Sequence, residues 1–182
     1  MTEEKVLNTS LRIYDDSYIN SLKNLTSAVH EAGGKIHSQL LYGGSQVFCE
    51  IDYETLGPSA IQDRFSKIIP KAMSKDDIVD VVKHFSDAAL RSKKAYFDGV
   101  QINAASGFLL NKFLSPFYNI RSDEYGGSIE NRSRILVEIR ESIAKECGRD
   151  FPVFIKLSVD DFMKDDVKGL EFPDGKEIAK FL

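Results

Sequence analysis

The stretch F-D-G-V-Q-I-N-A-A-S-G-F, residues 97–108, predicts a short buried strand that ends in a polar turn. The apolar Val100 and Ile102 alternate along it with the polar Gln101 and Asn103. Side chains alternate between the two faces of a strand, so one face is expected to pack against helices while the other carries polar groups. Three interpretations are open for the polar residues Asn103 and Ser106 at its end: they bind a ligand, they cap the loop, or they are remnants of a site that once did chemistry.

Helical and strand patterns alternate three times around this stretch, and turn and capping signals mark their ends. The predicted elements are a helix over 15–32, a strand over 35–41, a possible β-ribbon at 47–53, a helix capped by Ser74, a strand over 97–103, a helix capped by Ser128, a strand over 151–158, and a last helix starting at Asp174. This alternation is typical of a parallel sheet with helices outside, either doubly wound or closed as a barrel. No glycine-rich phosphate loop follows any strand, which favours the barrel.

The composition excludes several classes of protein. A chain of 182 residues with 42% hydrophobic and 29% charged residues fits a single globular domain over residues 1–182. Its net charge of −4 argues against a nucleic-acid partner, which a basic surface would bind. The cysteines, Cys49 and Cys147, lie in no metal-binding spacing, so no metal site is predicted. No signal peptide follows Met1 and no apolar run reaches the roughly 18 residues of a membrane span, so we expect a cytoplasmic protein without a membrane partner.

Three polar residues fall near the carboxyl ends of the three predicted strands, on matching faces. They are Gln39, Asn103 and Lys156. The active site of a parallel α/β barrel lies at this end of its strands, so two amides and a cation suggest a ligand site. A lysine buried there needs an anionic partner, because an unpaired buried ammonium is costly. The alternative is that Lys156 extends from the barrel mouth and Gln39 hydrogen-bonds loop backbone.

The run F-L-S-P-F-Y-N-I-R-S-D-E-Y-G-G-S-I-E-N-R-S-R, residues 113–134, closely resembles the loop and helix after the fourth strand in the Old Yellow Enzyme family of FMN-dependent oxidoreductases. Residues 28–40 resemble the family's third strand with the helix before it, 57–61 the following loop, and 151–158 the fifth strand. The resemblance covers nearly the whole chain. It implies an α/β fold, a partial TIM (β/α)8 barrel covering about strands 3 to 5 with their helices.

The resemblance also implies a chemistry. FMN would lie at the barrel mouth, take hydride from NADH or NADPH, and pass it to a small-molecule acceptor, often an α,β-unsaturated carbonyl compound. Gln39 corresponds to the glutamine that hydrogen-bonds the flavin pyrimidine edge, and Lys156 to the basic residue near flavin N1 and O2, with Asn103 beside them. The D-E-Y-G-G and E-N-R residues are implied to be scaffold, with Arg132 or Arg134 pairing locally.

The chain departs from the family pattern where its fourth strand ends. The family has H-x-x-H or H-x-x-N there, which grips the acceptor's carbonyl oxygen, and a proton-donating tyrosine two residues later. Asn103, Ser106 and Phe108 stand at these positions. Losing one oxyanion donor costs about 2.7–4 kcal/mol of transition-state stabilisation, and losing a general acid roughly 10²–10⁴-fold in rate. Because Phe108 has no proton to give, we expect a different acceptor or another proton source.

The resemblance covers only about three of eight strands. Three strands cannot close a barrel, and the two open edges and uncovered inner face favour pairing with another chain. Two interpretations therefore stand: an FMN-dependent NAD(P)H oxidoreductase of the Old Yellow Enzyme type, or a truncated, non-catalytic barrel fragment that self-associates or docks a complementary half. We expect this chain alone to be inactive, and to form homo-oligomers through its open sheet edges.

Overall fold

A computed structural model describes residues 11–164 and 166–182. Residues 1–10, which include the segment used to predict the absence of a signal peptide, lie outside that range. The elements are a 3₁₀ turn Asp16–Tyr18, α1 Ile19–Glu31, β1 His37–Leu40, β2 Leu56–Gly57, β3 Lys71–Ala72, α2 Lys75–Lys94, β4 Gly99–Ala104, α3 Leu109–Leu114, α4 Ile129–Cys147, β5 Val153–Leu157 and α5 Phe172–Phe181. Within the described residues, no helix combines the length and the apolar character that a membrane crossing requires.

The three predicted strands form one parallel sheet in the order β1-β4-β5. Its register pairs Gln39 with Gln101, and Asn103 with Lys156. The sheet is an open part of an α/β barrel and does not close on itself, which confirms the predicted fold. A second, minimal parallel pair joins β2 to β3 in the long connection between β1 and α2.

The central strand β4 packs its apolar face against the helices, as its alternation predicts. Val100, Ile102 and Ala104 are fully buried in the main core. Burying a valine or isoleucine side chain contributes about 1.5–3 kcal/mol, so this face holds the sheet to its helices. The opposite face of β4 carries Gln101 and Asn103, and no helix of the described residues forms a layer over it.

The predicted caps begin two of the long helices. The Ser74 hydroxyl accepts the N–H of Asp77 at 3.1 Å, and the Asp77 carboxylate accepts the N–H of Ser74 at 2.8 Å, which completes a capping box at α2. Ser128 accepts the N–H of Asn131 at 3.3 Å and starts α4. Such caps contribute about 1 kcal/mol each. They fix where the helices begin, and therefore how each helix leads into its following strand.

Several predicted boundaries and elements are wrong. The predicted β-ribbon at 47–53 contains no strand, because the local pairing is between β2 and β3 further along the chain. Asp15 caps the 3₁₀ turn rather than α1, which begins at Ile19. The last helix begins at Phe172 because Pro173 suits a first helical turn. Helix α3 was not predicted.

The arginines of the 113–134 motif pair over different distances. Arg134 donates to the carbonyl of Glu124 at 2.8 Å, which agrees with local pairing. Arg132 instead reaches Asp174 in α5 at 2.9 Å, so it links α4 to the last helix. The two contacts connect the motif to both sides of α4, which is a scaffold role.

Candidate functional site

The polar face of the sheet presents its side chains in layers from the amino to the carboxyl ends of the strands. The rings of His37 and Phe154 meet with their centroids 4.7 Å apart, although His37 pairs with Gly99 and Phe154 with Gln101 in the register. Gly99, the register partner of His37 on β4, leaves room for the His37 ring, because a Cβ at that position would lie 2.8 Å from His37 Cδ2. Gln39, Gln101 and Phe154 lie at one level of the register, and Asn103 and Lys156 lie at the next level towards the carboxyl ends.

The structure brings Gln39 and Asn103 into direct contact. Asn103 Nδ2 donates to Gln39 Oε1 at 3.0 Å, and Gln39 Nε2 donates to Gln101 Oε1 at 2.6 Å. Asn103 is only 2% exposed, and its Oδ1 accepts the backbone N–H of Ala105 at 3.0 Å. Gln39 is exposed on the open face. One buried carboxamide therefore holds one that a ligand can reach.

Lys156 lies beside this pair. It is the register partner of Asn103 on β5, and its side chain is exposed on the same face. Its ammonium makes no ion pair or hydrogen bond with any residue that the structure describes. Because Lys156 is exposed here, it does not need the anionic partner that a buried lysine would require, and its charge is open to a ligand.

Ser106 lies in the turn after β4 and is held by its backbone. Its φ of 61° is in the left-handed region, which non-glycine residues seldom adopt. The Ser106 N–H donates to Ser158 Oγ at 3.0 Å, and its carbonyl accepts from Gln46 Nε2 at 2.5 Å. The side chain is exposed and lines a cavity of about 460 Å³ that Tyr118 and Asp161 also line. Within the described residues no hydrogen bond joins Ser106 to Asn103.

Phe108 ends the same turn and provides an apolar wall. Its ring centroid lies 6.3 Å from that of Phe48, which in turn lies 5.1 Å from that of Phe65. Phe48 and Phe65 are both exposed. The turn after β4 therefore has an aromatic cluster beside it, and the side chain at position 108 cannot donate a proton.

A buried ion pair beneath the cavity was not predicted. Lys112 Nζ lies 2.6 Å from Asp63 Oδ2 and donates to Ser45 Oγ at 2.6 Å, and the two charged side chains are 2% and 1% exposed. Burial lowers the pKa of Lys112. Burial alone would raise the pKa of Asp63, but hydrogen bonds from Lys112 and from the Ser66 N–H lower it overall. The sequence signal available was a pair of polar residues, Asn111 and Lys112, inside the largely apolar run L-L-N-K-F-L.

Tyr118 lies next to this pair at the wall of the cavity. Its ring centroid is 5.1 Å from Lys112 Nζ, and its hydroxyl accepts the N–H of Arg64 at 3.4 Å. Burial raises the pKa of the Tyr118 phenol, which therefore stays protonated at neutral pH. In the part of the chain that the structure describes, no group of three metal-ligating side chains occurs.

Comparisons with known proteins place this geometry in context. The family model of the NADH:flavin oxidoreductase / NADH oxidase family matches residues 2–181. An NADH oxidase of Thermoanaerobacter brockii is 36% identical over 174 residues, which are 94% of this chain and 26% of that protein. The chain thus spans about a quarter of that relative's length.

Solved structures agree with the family match. Morphinone reductase in complex with tetrahydroNAD superposes with a TM-score of 0.80 at 30% identity, over 93% of this chain and 50% of that one. The old yellow enzyme homologue of Zymomonas mobilis gives a TM-score of 0.77 at 30% identity, over 92% of this chain and 48% of that one. These neighbours are TIM-barrel enzymes, and the sheet β1-β4-β5 corresponds to part of such a barrel. The chain belongs to the NADH:flavin oxidoreductase / NADH oxidase family and is similar to the Old Yellow Enzymes.

Proposed function

We propose that residues 1–182 belong to the single FMN-binding barrel domain of an NAD(P)H oxidoreductase of the Old Yellow Enzyme type. The observation that carries this proposal is the meeting of Gln39, Asn103 and Lys156 on one face of three parallel strands, in a chain of this family. The chain spans only 26% of the NADH oxidase and 50% of the morphinone reductase, so the reaction is proposed for the domain that contains these strands.

The side chains on the open face fit the pyrimidine edge of FMN. That edge offers carbonyl oxygens and N–H groups, which a carboxamide such as Gln39 can match because it both donates and accepts. Lys156 places an unpaired, exposed ammonium beside it, and a nearby cation stabilises negative charge. When bound, FMN would supply hydride transfer from NADH or NADPH to an acceptor.

The acceptor side combines two neutral donors with an aromatic wall. The exposed Ser106 lines the cavity, and Asn103, which is 2% exposed near the end of β4, keeps one N–H beyond its bond to Gln39. These groups can orient the carbonyl oxygen of an unsaturated carbonyl compound or a related acceptor. Because Phe108 cannot donate a proton, the protonation step would depend on water or on another side chain of the cavity.

The open face supports a second candidate function, in which this chain is a non-catalytic barrel fragment. Phe154 is 46% exposed on the inner face, and β1 and β5 are both edge strands of the sheet. Unpaired strand edges and exposed aromatic rings favour association with another chain. The fragment would then self-associate or dock a complementary half of a barrel.

Titration of the purified chain with FMN separates the two functions. Saturable binding of one FMN per chain, followed by the visible flavin absorbance, would support the cofactor role for this chain by itself. A colourless preparation that self-associates and ignores added FMN, which we expect for these 182 residues alone, would assign this chain the second role.

The role of Lys156 is testable in any FMN complex that contains these strands. Lys156→Met is expected to weaken binding of reduced FMN about tenfold more than binding of oxidised FMN, because it removes the cation beside the charge gained on reduction. The flavin reduction potential measures this difference. Lys176→Met, which removes an exposed charge from α5, is the matched control. An unchanged potential in Lys156→Met would refute the role.

A further inference from the structure

The orientation of the carboxamides on the open face is set by one backbone group. The N–H of Ala105 can only donate, so the atom of Asn103 that faces it at 3.0 Å is the side-chain oxygen. The NH₂ group of Asn103 must then point the other way, towards Gln39. Asn103 is 2% exposed, so this end of the chain of hydrogen bonds is fixed in the core.

The same logic carries the orientation outward to Gln101. Because Asn103 offers its NH₂, Gln39 meets it with Oε1 at 3.0 Å, which leaves Gln39 Nε2 facing Gln101. Gln101 accepts there with Oε1 at 2.6 Å. If the Gln39 amide were flipped, two NH₂ groups would face each other on one side and two oxygens on the other. All three hydrogen bonds therefore form only when the side-chain amides of Asn103, Gln39 and Gln101 keep these orientations.

We propose that Gln101 is a positioning residue for Gln39. Gln39 is exposed and flexible by nature, and Asn103 fixes only its oxygen. The acceptor at Gln101 fixes its nitrogen, so the two contacts together hold the Gln39 amide in one place and one orientation. This role rests on the proposed function, because it matters only if Gln39 contacts the flavin edge.

The fixed orientation defines what the open face offers to a ligand. Gln39 keeps one unused N–H, and the NH₂ of Gln101 makes no hydrogen bond with any described residue. Lys156 adds three more donors on the same face. Donors therefore outnumber acceptors, and the face suits a planar ligand edge that carries carbonyl oxygens and gains negative charge.

Two substitutions at position 101 separate positioning from general packing. Gln101→Met keeps the length of the side chain but removes the acceptor, whereas Gln101→Glu keeps acceptor oxygens. The measurement is solvent exchange of the Gln39 side-chain amide protons by NMR on the ¹⁵N-labelled chain. We expect exchange about fivefold faster in Gln101→Met, as for loss of one hydrogen bond, and near the native rate in Gln101→Glu. Thermal melts check that both variants fold, and Gln101→Thr, too short to reach Gln39, replaces Met if that variant does not.

The outcomes are distinct from those that test the cofactor. Unchanged Gln39 exchange in Gln101→Met, or fast exchange in Gln101→Glu, would overturn the positioning role. FMN is then added to the same samples. If Gln39 responds to the substitutions but not to FMN, positioning stands and cofactor binding by this chain fails. If FMN shifts the Gln39 signals while exchange of the Gln39 amide is the same in all variants, cofactor binding stands and positioning by Gln101 fails.

Discussion

Lys112 carries a charge into the most deeply buried helix of the fold. All six residues of α3 are buried, and Lys112 is paired with Asp63 from the long connection after β1. The same network includes Ser45, whose carbonyl accepts from Ser66 Oγ at 2.6 Å. The ion pair therefore attaches the connection after β1 to α3, and it forms the floor of the cavity that Ser106 lines.

Removing one partner of this pair is expected to be costly. Lys112→Met leaves Asp63 buried and charged without its cation, so we expect the free energy of unfolding to fall by about 3 kcal/mol. Chemical denaturation measures this change. The double variant Lys112→Met/Asp63→Asn leaves no charge and is expected to recover part of the loss. A single variant within about 0.5 kcal/mol of the wild type would contradict a structural role for the pair.

At the scale of elements, the predictable parts are those with a local signal. Helices α2 and α4 have serine caps and apolar positions at helical spacing, so sequence alone located them. Helix α3 is buried all round and lacks an amphipathic pattern, which is why it was missed. The β-ribbon predicted at 47–53 did not form, because a strand also needs a partner, which only the tertiary fold supplies.

The sequence also predicted part of the candidate site, but not all of it. The alternation of side chains along each strand predicted that Gln39, Asn103 and Lys156 lie on one face, and the register of the sheet agrees. The role of Gln101 depends on register and on the direction of hydrogen bonds, neither of which a single sequence contains. The exposure of Lys156 also depends on whether the sheet closes around it.

Two adjacent glycines of the D-E-Y-G-G motif differ in what constrains them. A Cβ at Gly126 would overlap the backbone of Arg121, whereas Gly127 has φ 82° and open space around it. We expect Gly126→Ala to lower the free energy of unfolding by about 2 kcal/mol or more, and Gly127→Ala by about 1 kcal/mol. Denaturant titration compares them directly. Equal effects would show that close packing of this turn on Arg121 is unimportant.

Asp98, just before β4, accepts hydrogen bonds from residues that precede β1, and these contacts depend on pH. Asp98 accepts from the N–H of Ile36 at 2.9 Å, from His30 at 2.8 Å and from Lys35 at 2.9 Å. The Ile36 hydrogen bond, followed by those from His30 and Lys35, holds the pKa of Asp98 well below its usual range. Its charged form is therefore favoured by folding.

The sign of the pH effect follows from this shift. The stability from Asp98 is present above its unfolded pKa, near 4, and is lost as pH falls through the lower folded pKa. We expect Asp98→Asn to flatten the acid side of the stability curve, measured as the free energy of unfolding between about pH 2 and pH 6. Asp80→Asn, at an exposed position of α2, is the control. An acid limb as steep as that of the wild type would contradict the assignment.

At the scale of the whole molecule, the two faces of the sheet differ in how far they are buried. One face is sealed by α2 and α4, while the other exposes a histidine, a phenylalanine, two glutamines and a lysine. Among the residues that the structure describes, no strand pairs with the outer edge of β1 or of β5. A stable arrangement of this chain covers that face, either with further strands of a barrel or with another molecule.

We expect the 182-residue chain to self-associate, and Phe154 to take part. Phe154→Ser removes an inner-face ring that is 46% exposed and is expected to weaken association about tenfold, as for loss of part of a phenylalanine's burial. Sedimentation velocity over a concentration series measures the change. Phe172→Ser is the matched control, since that ring is 60% exposed on α5, away from the sheet. A wild-type chain that stays monomeric at all concentrations would contradict the expectation.

The main chain of Ser106, rather than its side chain, holds the turn after β4 in place. Main-chain atoms of Ser106 make the contacts with Ser158 and Gln46, and its hydroxyl makes none with a described residue. The side chain at position 106 can therefore be replaced without loss of these contacts. Asparagine, which tolerates the left-handed backbone, is expected to replace Ser106 without rebuilding the turn, because the contacts that hold the turn are made by the main chain.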